Sequence, residues 1–337
     1  MTDAPQIPGG EFAGMVNLAS PHLGTTVAAV SDEFFAPASR MLSPTAPEFK
    51  PGVFDAHGKW MDGWETRRRR GGGECDWALI RLGAPGEVLH ADMDARHFTG
   101  NFPPFAELHG CFSESPPDDS AEWRTLVAKT ALRGDSQNIF AARPAGVVNW
   151  VRLRIYPDGG IARLRLYGNV RPRWRNLAAG EVAELSALHY GGRIVAYNDA
   201  HYGDVYSLLA ARDGENMGDG WETRRRREPG NDWIVIALGR AGTLREIVVD
   251  TAYFRGNYPE FCSLQGGGAD LSAPPEELAR AADSWPELLP RQKLKGDTLH
   301  RFGAEEIVAH SPVNIVRLNI FPDGGVSRLR IFALPAE

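Results

Sequence analysis

The stretch WMDGWETRRRR at positions 60–70 returns as MGDGWETRRRR at 217–227. Asp62 and Asp219 lie 219 − 62 = 157 residues apart, and the likeness runs far beyond the arginines. HLGTTVAAVSD (22–32) matches HYGGRIVAYND (189–199), and DWALIRLGAPG (76–86) matches DWIVIALGRAG (232–242). DARHFTGNFP (94–103) matches DTAYFRGNYP (250–259), and VNWVRLRIYPDGGIARLRLYG (148–168) matches VNIVRLNIFPDGGVSRLRIFA (313–333). Both halves keep the same order. A period of about 160 residues is too long for a solenoid unit and suits two whole domains of one fold.

The offset drifts from 189 − 22 = 167 to 250 − 94 = 156, which assigns the length differences to loops, where change is tolerated. About ten residues around PEFKPGVFDAHG (47–58) have no counterpart in the second copy, whereas LSAPPEELARAADSWPELL (271–289) is longer than its own. Domains are expected at 1–170 and 171–337. Their boundary falls in GNVRPRWRNLAAG (168–180), where Pro172 interrupts strand pairing.

Local structure reads as strand and turn. Asn149, Val151, Leu153 and Ile155 alternate with Trp150, Arg152, Arg154 and Tyr156, the period of a strand with one apolar face. Pro157, Asp158, Gly159 and Gly160 then predict a reversal into a second strand through Ala162, Leu164 and Leu166. Such a hairpin sets Arg152 and Arg154 beside Arg163 and Arg165 on its outer face, as a set of surface ion pairs. DWALIRLG (76–83) and EVLHADMD (87–94) read as two further strands with a glycine-containing turn between them. SPPDDSAEWRTLV (115–127) and PPEELARAAD (274–283) are the helical candidates. Many short strands with frequent turns predict an all-β chain of two tandem sandwiches or jelly rolls.

Composition narrows the partners. With 37 basic against 43 acidic residues, a formal charge of −6 argues against a nucleic-acid surface. No apolar run approaches membrane-spanning length, and MTDAPQIPGGEFAG has no signal-peptide pattern, so a cytoplasmic chain without a membrane partner is expected. Cys75, Cys111 and Cys262 are isolated and read as free thiols.

In DGWETRRRR the Asp-Gly pair marks a turn and Trp64 starts a strand, which splits the arginines between two faces. Arg67, Arg68 and Arg69 then either grip the carboxylate of a small ligand with their planar forks or pair with internal acids such as Glu65, Asp76 and Asp94. A second protomer is another possible source of such acids. DMDARHFTGNFP (92–103) brings Asp92, Asp94, His97 and Asn101 to a strand end and the turn after it. His97 suits acid–base work near neutral pH, although Tyr253 stands in its place in the second copy. There is no GxSxG, HExxH, P-loop or dinucleotide fingerprint, and the nine histidines are scattered. A carboxylate-rich divalent-metal site is left open, and no other cofactor is called for.

Nearly the whole chain resembles the allantoicase family. The resemblance is carried by NLAS (17–20), SDEFFAPASRML (31–42), GKWMDGWETRRRR (58–70), DWALIRLG (76–83), FTGNFP (98–103), MGDGWETRRRR (217–227) and GNYP (256–259). It implies two jelly-roll domains of the galactose-binding-like type, a homo-oligomer, and hydrolysis of allantoate to ureidoglycolate and urea in purine degradation. Allantoate carries one carboxylate and two ureido groups, so its recognition calls for arginine and for N–H acceptors. On that basis Glu65, Asp94 and His97, with Glu222 and Asp250 in the second copy, are the acid–base candidates. Arg67, Arg69 and Arg224 are the candidates for the carboxylate, and Asn101 and Asn257 for further substrate contacts.

Two readings from other classes compete. A tandem carbohydrate-binding module would use Trp60, Trp64 and Trp221 as stacking platforms. A purely structural oligomer would place its arginine runs at subunit contacts.

Overall fold

The computed structural model describes residues 4–70, 74–174, 177–178 and 180–336. Residues 175, 176 and 179 of the expected boundary segment lie outside the described residues. The chain divides into two compact units, Val16–Arg171 and a second made of Pro172–Glu337 with the stretch up to Met15. That stretch joins the second repeat through backbone. Gln6 N donates to Tyr197 O at 2.7 Å, Tyr197 N donates back to Gln6 O at 3.1 Å, and Ile7 packs on the core around Val195 and Val235.

The first repeat contains β1 (Val16–Asn17), β2 (Thr26–Val30), β3 (Phe54–Asp55), β4 (Gly58–Lys59), β5 (Trp64–Glu65), β6 (Asp76–Asp94), β7 (Phe105–Cys111), β8 (Arg124–Ala131), β9 (Ile139–Ala141), β10 (Val148–Tyr156), β11 (Gly160–Ile161) and β12 (Arg163–Val170). The second contains β13 (Ala183–Glu184), β14 (Arg193–Tyr197), β15 (Trp221–Glu222), β16 (Asp232–Asp250), β17 (Phe261–Gly267), α1 (Pro275–Ala281), β18 (Glu287–Lys293), β19 (Leu299–Phe302), β20 (Val313–Phe321), β21 (Gly325–Val326) and β22 (Arg328–Pro335). All strand pairs are antiparallel, and the order β1-β12-β6-β10-β7-β8 in the first repeat recurs as β13-β22-β16-β20-β17-β18 in the second.

The long strand β6 serves two ladders. Its first part pairs with β2 and β10, with Leu153 opposite Ala78, while its second part pairs with β12 and β9, with Leu166 opposite Ala91. Leu153, Ile155, Leu164 and Leu166 are all fully buried, as two sheets packed face to face require. The two strands expected at 76–83 and 87–94 are therefore one continuous strand whose two parts pair with different neighbours. Its glycines let neighbouring chain lie close against it. A Cβ on Gly83 would lie 1.9 Å from Leu23 O, and one on Gly86 would lie 2.8 Å from the Leu18 side chain.

The expected hairpin is also corrected. β10 pairs with β6 and β7, whereas β12 pairs with β6 and β1, so the strands on either side of the Pro157–Gly160 turn do not pair with each other. The four arginines consequently do not share a face. Arg152 pairs with Asp119 at 2.5 Å and Arg154 with Glu107 at 3.1 Å, while Arg163 is buried elsewhere. Of the two helical candidates, 274–283 contains α1, but 115–123 is turn and coil leading into β8. There Asp118 Oδ1 accepts from Ser120 N at 2.9 Å and from its hydroxyl at 2.6 Å, a local alternative to helical bonding that follows two prolines. Among the described residues, no helix is long and apolar enough to cross a membrane.

Candidate active site

In each repeat the site begins with a tryptophan that is fully buried. Trp64 and Trp221 are both 0% exposed, and each indole N–H donates at 2.8 Å, to Asp32 O and Asp199 O respectively. Neither offers a face to a sugar ring, which removes two of the three platforms that a carbohydrate-binding reading needs. Gly63 ahead of Trp64 is dictated by crowding, since a Cβ there would lie 2.4 Å from Ile161 O.

β5 ends at Glu65, so the arginines lie outside any strand and are not split between two strand faces as expected. Thr66 N donates to Gly159 O, and Gly159 N donates to Thr66 Oγ1, both at 3.1 Å. This reciprocal pair fastens the run to the turn after β10. The first three arginines then each meet their own aspartate. Arg67 holds Asp32 through Nε at 2.8 Å and Nη2 at 2.6 Å, Arg68 holds Asp158 at 2.8 Å, and Arg69 holds Asp76 at 2.5 Å. In the second repeat Arg224 holds Asp199 at 2.8 Å and Arg226 holds Asp232 at 2.6 Å.

Internal pairing therefore accounts for most of the arginine charge. Asp32 and Asp158 were missed as partners by sequence reasoning, although both recur in the second copy as Asp199 and Asp323. Arg67 and Arg224 remain 63% and 65% exposed at the side chain, so each is oriented by its aspartate yet open to solvent. Arg69, at 27%, also donates to Cys75 O and is a bracing residue. The second run lines a cleft of about 310 Å³ together with Asn198 and Asp199.

Glu65 and Asn101 come together across 36 residues of chain. Asn101 Nδ2 donates to Glu65 Oε1 at 2.7 Å, and Asn257 donates to Glu222 Oε1 in the same arrangement. Gly160 N and Gly325 N donate to Asn101 O and Asn257 O at 2.8 and 2.7 Å, so the amide is held by the turn that also holds the arginine run. Burial pushes the Glu65 carboxyl above its ordinary range, against the opposing pull of the Asn101 hydrogen bond and the charges of Arg68 and Lys59. Lys59 belongs to β4, in the insertion that the second copy lacks.

The other expected residues do not join this pair by any hydrogen bond. Asp94 is 1% exposed and chelated by Arg96, with Nε to Oδ2 at 2.9 Å and Nη2 to Oδ2 at 2.6 Å, while Arg96 N donates to Oδ1 at 2.8 Å. His97 occupies a left-handed turn at φ 70, its Nε2 lies 3.1 Å from Pro47 O, and its ring stacks on Phe49. Tyr253 repeats the same φ of 70, so this position is set by backbone shape in both copies. Asp250 accepts from Ala252 N at 2.9 Å and borders a separate cavity.

Arg163, expected on a surface, and Arg328, which stands at its place in the second copy, are 1% and 0% exposed. Arg163 donates to Thr45 O, Ala46 O, Ala162 O and Asp62 O and pairs with Asp62 Oδ2 at 2.6 Å. Arg328 makes the matching pair with Asp219 Oδ2 at 2.9 Å. The Asp of each Asp-Gly motif thus anchors the loop entering the site. Among the described residues, no group of three or more His, Cys, Asp or Glu side chains is placed to hold a metal ion.

A duplicated antiparallel β-fold, with a carboxylate–amide pair and a braced arginine run in each copy, is the class that fold and site define. Its two copies match the family model "Allantoicase repeat" at residues 16–171 and 183–336. The chain belongs to the allantoicase family. It is 48% identical to the "Probable allantoicase" of Rhizobium meliloti (strain 1021), over 100% of this chain and 99% of that one. It is 50% identical to the "Probable allantoicase" of Pseudomonas aeruginosa (strain LESB58), over 96% and 97%. The crystal structure of allantoicase from Saccharomyces cerevisiae superposes with a TM-score of 0.79 at 34% identity, covering 95% of this chain and 93% of that one.

Proposed function

We propose that the Glu65–Asn101 pair, with Glu222–Asn257 as its counterpart, performs the acid–base step of the family's reaction. The activity is that of a hydrolase acting on carbon–nitrogen bonds in linear amidines, converting allantoate and water to ureidoglycolate and urea. In that reaction one bond from the central carbon to a ureido nitrogen breaks. The departing nitrogen keeps the electron pair and takes a proton, and water oxygen ends on the carbon. A carboxyl shifted upward by burial suits the delivery and recovery of that proton.

The observation that carries this reading is the repeated hydrogen bond between carboxylate and amide, supported in the first copy by the raised Glu65. Arg67 and Arg224 are assigned to the substrate carboxylate, because Asp32 and Asp199 orient their guanidinium groups while leaving them exposed. Asp94, His97 and Arg69 are assigned to support of the loops, and Asp250 to the second copy's own chemistry. The reading extends to a cytoplasmic homo-oligomer, for which light scattering on the eluted protein is the check. The divalent-metal question is put to the same urea assay, run before and after chelator treatment.

Glu65→Gln and Glu222→Gln, made separately, test the assignment by urea release from allantoate. At least one of them is expected to lose about a hundredfold or more in turnover, the scale of a positioned acid–base group. Full turnover in both folded variants removes the assignment.

A further inference from the structure

One sheet face is filled differently in the two repeats. In the second, α1 sets Leu278 and Ala279 in a cluster with Val235 and Ile315, and Trp233 and Trp285 pack against it. Arg317 lies over the Trp233 ring at 4.7 Å, pairs with Asp283, and donates from Nε to Asn319 Oδ1 at 3.0 Å. In the first repeat Leu79 and Trp150 stand in the places of Val235 and Ile315, and Arg152 and Arg154 in those of Arg317 and Asn319. Between β7 and β8, however, residues 115–123 are turn and coil where the second repeat has α1. A cavity of about 530 Å³ lies there, bordered by Cys75, Trp77, Trp123, Arg152, Arg154 and Tyr156.

Arg152 is incompletely satisfied in this cavity. With Arg154 in the place of Asn319, the acceptor for its Nε is gone, and among the described residues that buried atom has no hydrogen-bond partner. Arg154 turns instead to Glu107 at 3.1 Å, whose Oε1 also accepts from the Tyr156 hydroxyl at 2.6 Å. Arg152 Nη1 pairs with Asp119 at 2.5 Å, but the Asp119 side chain is 90% exposed against 14% for Arg152. A bond to so exposed a carboxylate contributes little, whereas a buried N–H without an acceptor is costly. The guanidinium carbon lies 4.4 Å from the centre of the Trp123 ring, which keeps the fork beside the indoles that wall the cavity.

We propose that this cavity of the first repeat binds a small planar aromatic carboxylate, which displaces Asp119, gives its carboxylate to Arg152 and lays its ring against Trp77 and Trp123. A carboxylate carried on a buried ring can satisfy the Nε that Asp119 leaves unmet, and the half-buried indoles supply a flat apolar wall. The volume is that of a small-molecule site. Neither Glu65 nor Asn101 borders it, so its occupation does not require turnover.

Calorimetric titration of the full chain with 2-naphthoate tests the proposal, with acetate as a carboxylate that has no ring. 2-Naphthoate is expected to bind, and acetate to give no heat at the same concentration. Arg152→Gln is expected to weaken binding by about tenfold or more, whereas Asp119→Asn, at an exposed position, removes the competing carboxylate and is expected to tighten it. Thermal melts show whether each variant is folded. Arg67→Gln is expected to leave binding unchanged, which separates this site from the arginine assigned to the substrate carboxylate. No heat from 2-naphthoate, or equal binding of acetate, overturns the proposal. So does binding that Arg152→Gln leaves intact, that Asp119→Asn fails to tighten, or that Arg67→Gln removes.

Discussion

Asn101 is one hydrogen bond away from Glu65, and that bond draws the carboxyl's pKa down while burial drives it up. Removing the bond by Asn101→Ala leaves burial less opposed, so the Glu65 limb of the pH–rate profile is expected to move to higher pH. The direction is the same whether Glu65 serves as acid or as base, because the midpoint itself rises. A limb that stays in place or moves down in an otherwise active variant contradicts the role. Arg163 makes a different prediction. Its guanidinium is 1% exposed and satisfied by four carbonyls and Asp62, so Arg163→Ala strands a carboxylate and several acceptors. Breaking a buried pair from one side typically costs about 3–5 kcal/mol. Denaturant unfolding of the full chain is expected to show a loss of that order, whereas an outward-facing Arg163 would cost under about 1 kcal/mol.

At the scale of elements, β6 and β16 decide the architecture. The apolar alternation in DWALIRLG and EVLHADMD is plain in the sequence, as is the glycine-bearing stretch between them. A turn and a continuous strand use the same residues. What separates them is whether the two halves pair with each other or with different partners, and no local signal contains that. Gly83 records the outcome, because a Cβ there meets backbone oxygen at 1.9 Å and no side chain can move aside to relieve it. Gly83→Ala is expected to cost more than the roughly 1–3 kcal/mol usual for overpacking a core, read as a lowered denaturation midpoint. Gly10, whose added Cβ meets nothing within 4 Å, is the contrasting site, strained only by its φ of 54.

At the scale of the molecule, duplication has produced two units with the same order of strands and unequal loops. The first keeps Lys59 near Glu65 and Arg96 on Asp94; the second keeps the Glu222–Asn257 pair and has the open cavity at Asp250. The Glu65→Gln and Glu222→Gln comparison therefore also measures how unequal the two copies have become. The N-terminal stretch adds a further asymmetry, since it pairs within the second unit through Gln6 and Tyr197. Deleting residues 1–7 removes that bridge and Ile7 from the Val195 core. Scanning calorimetry is expected to show the second unit melting earlier while the first is unchanged, and equal shifts in both would contradict this placement.

The sequence by itself determined the duplication, the strand-rich class, the family and the Glu65 and Asn101 candidates, because repeats and motifs are properties of residue order. It also displayed every aspartate that braces the arginine run, without showing which carboxylate faces which guanidinium. Arg67 meets Asp32 across 35 residues and Arg68 meets Asp158 across 90, so those pairings exist only once two sheets have stacked and their loops have converged. The same convergence decided that Arg163 lies inside, that Trp64 offers no platform and that Asp250 opens onto a cavity. Periodicity reports which face of a strand is apolar, whereas a buried ion pair depends on what the rest of the chain brings to that face.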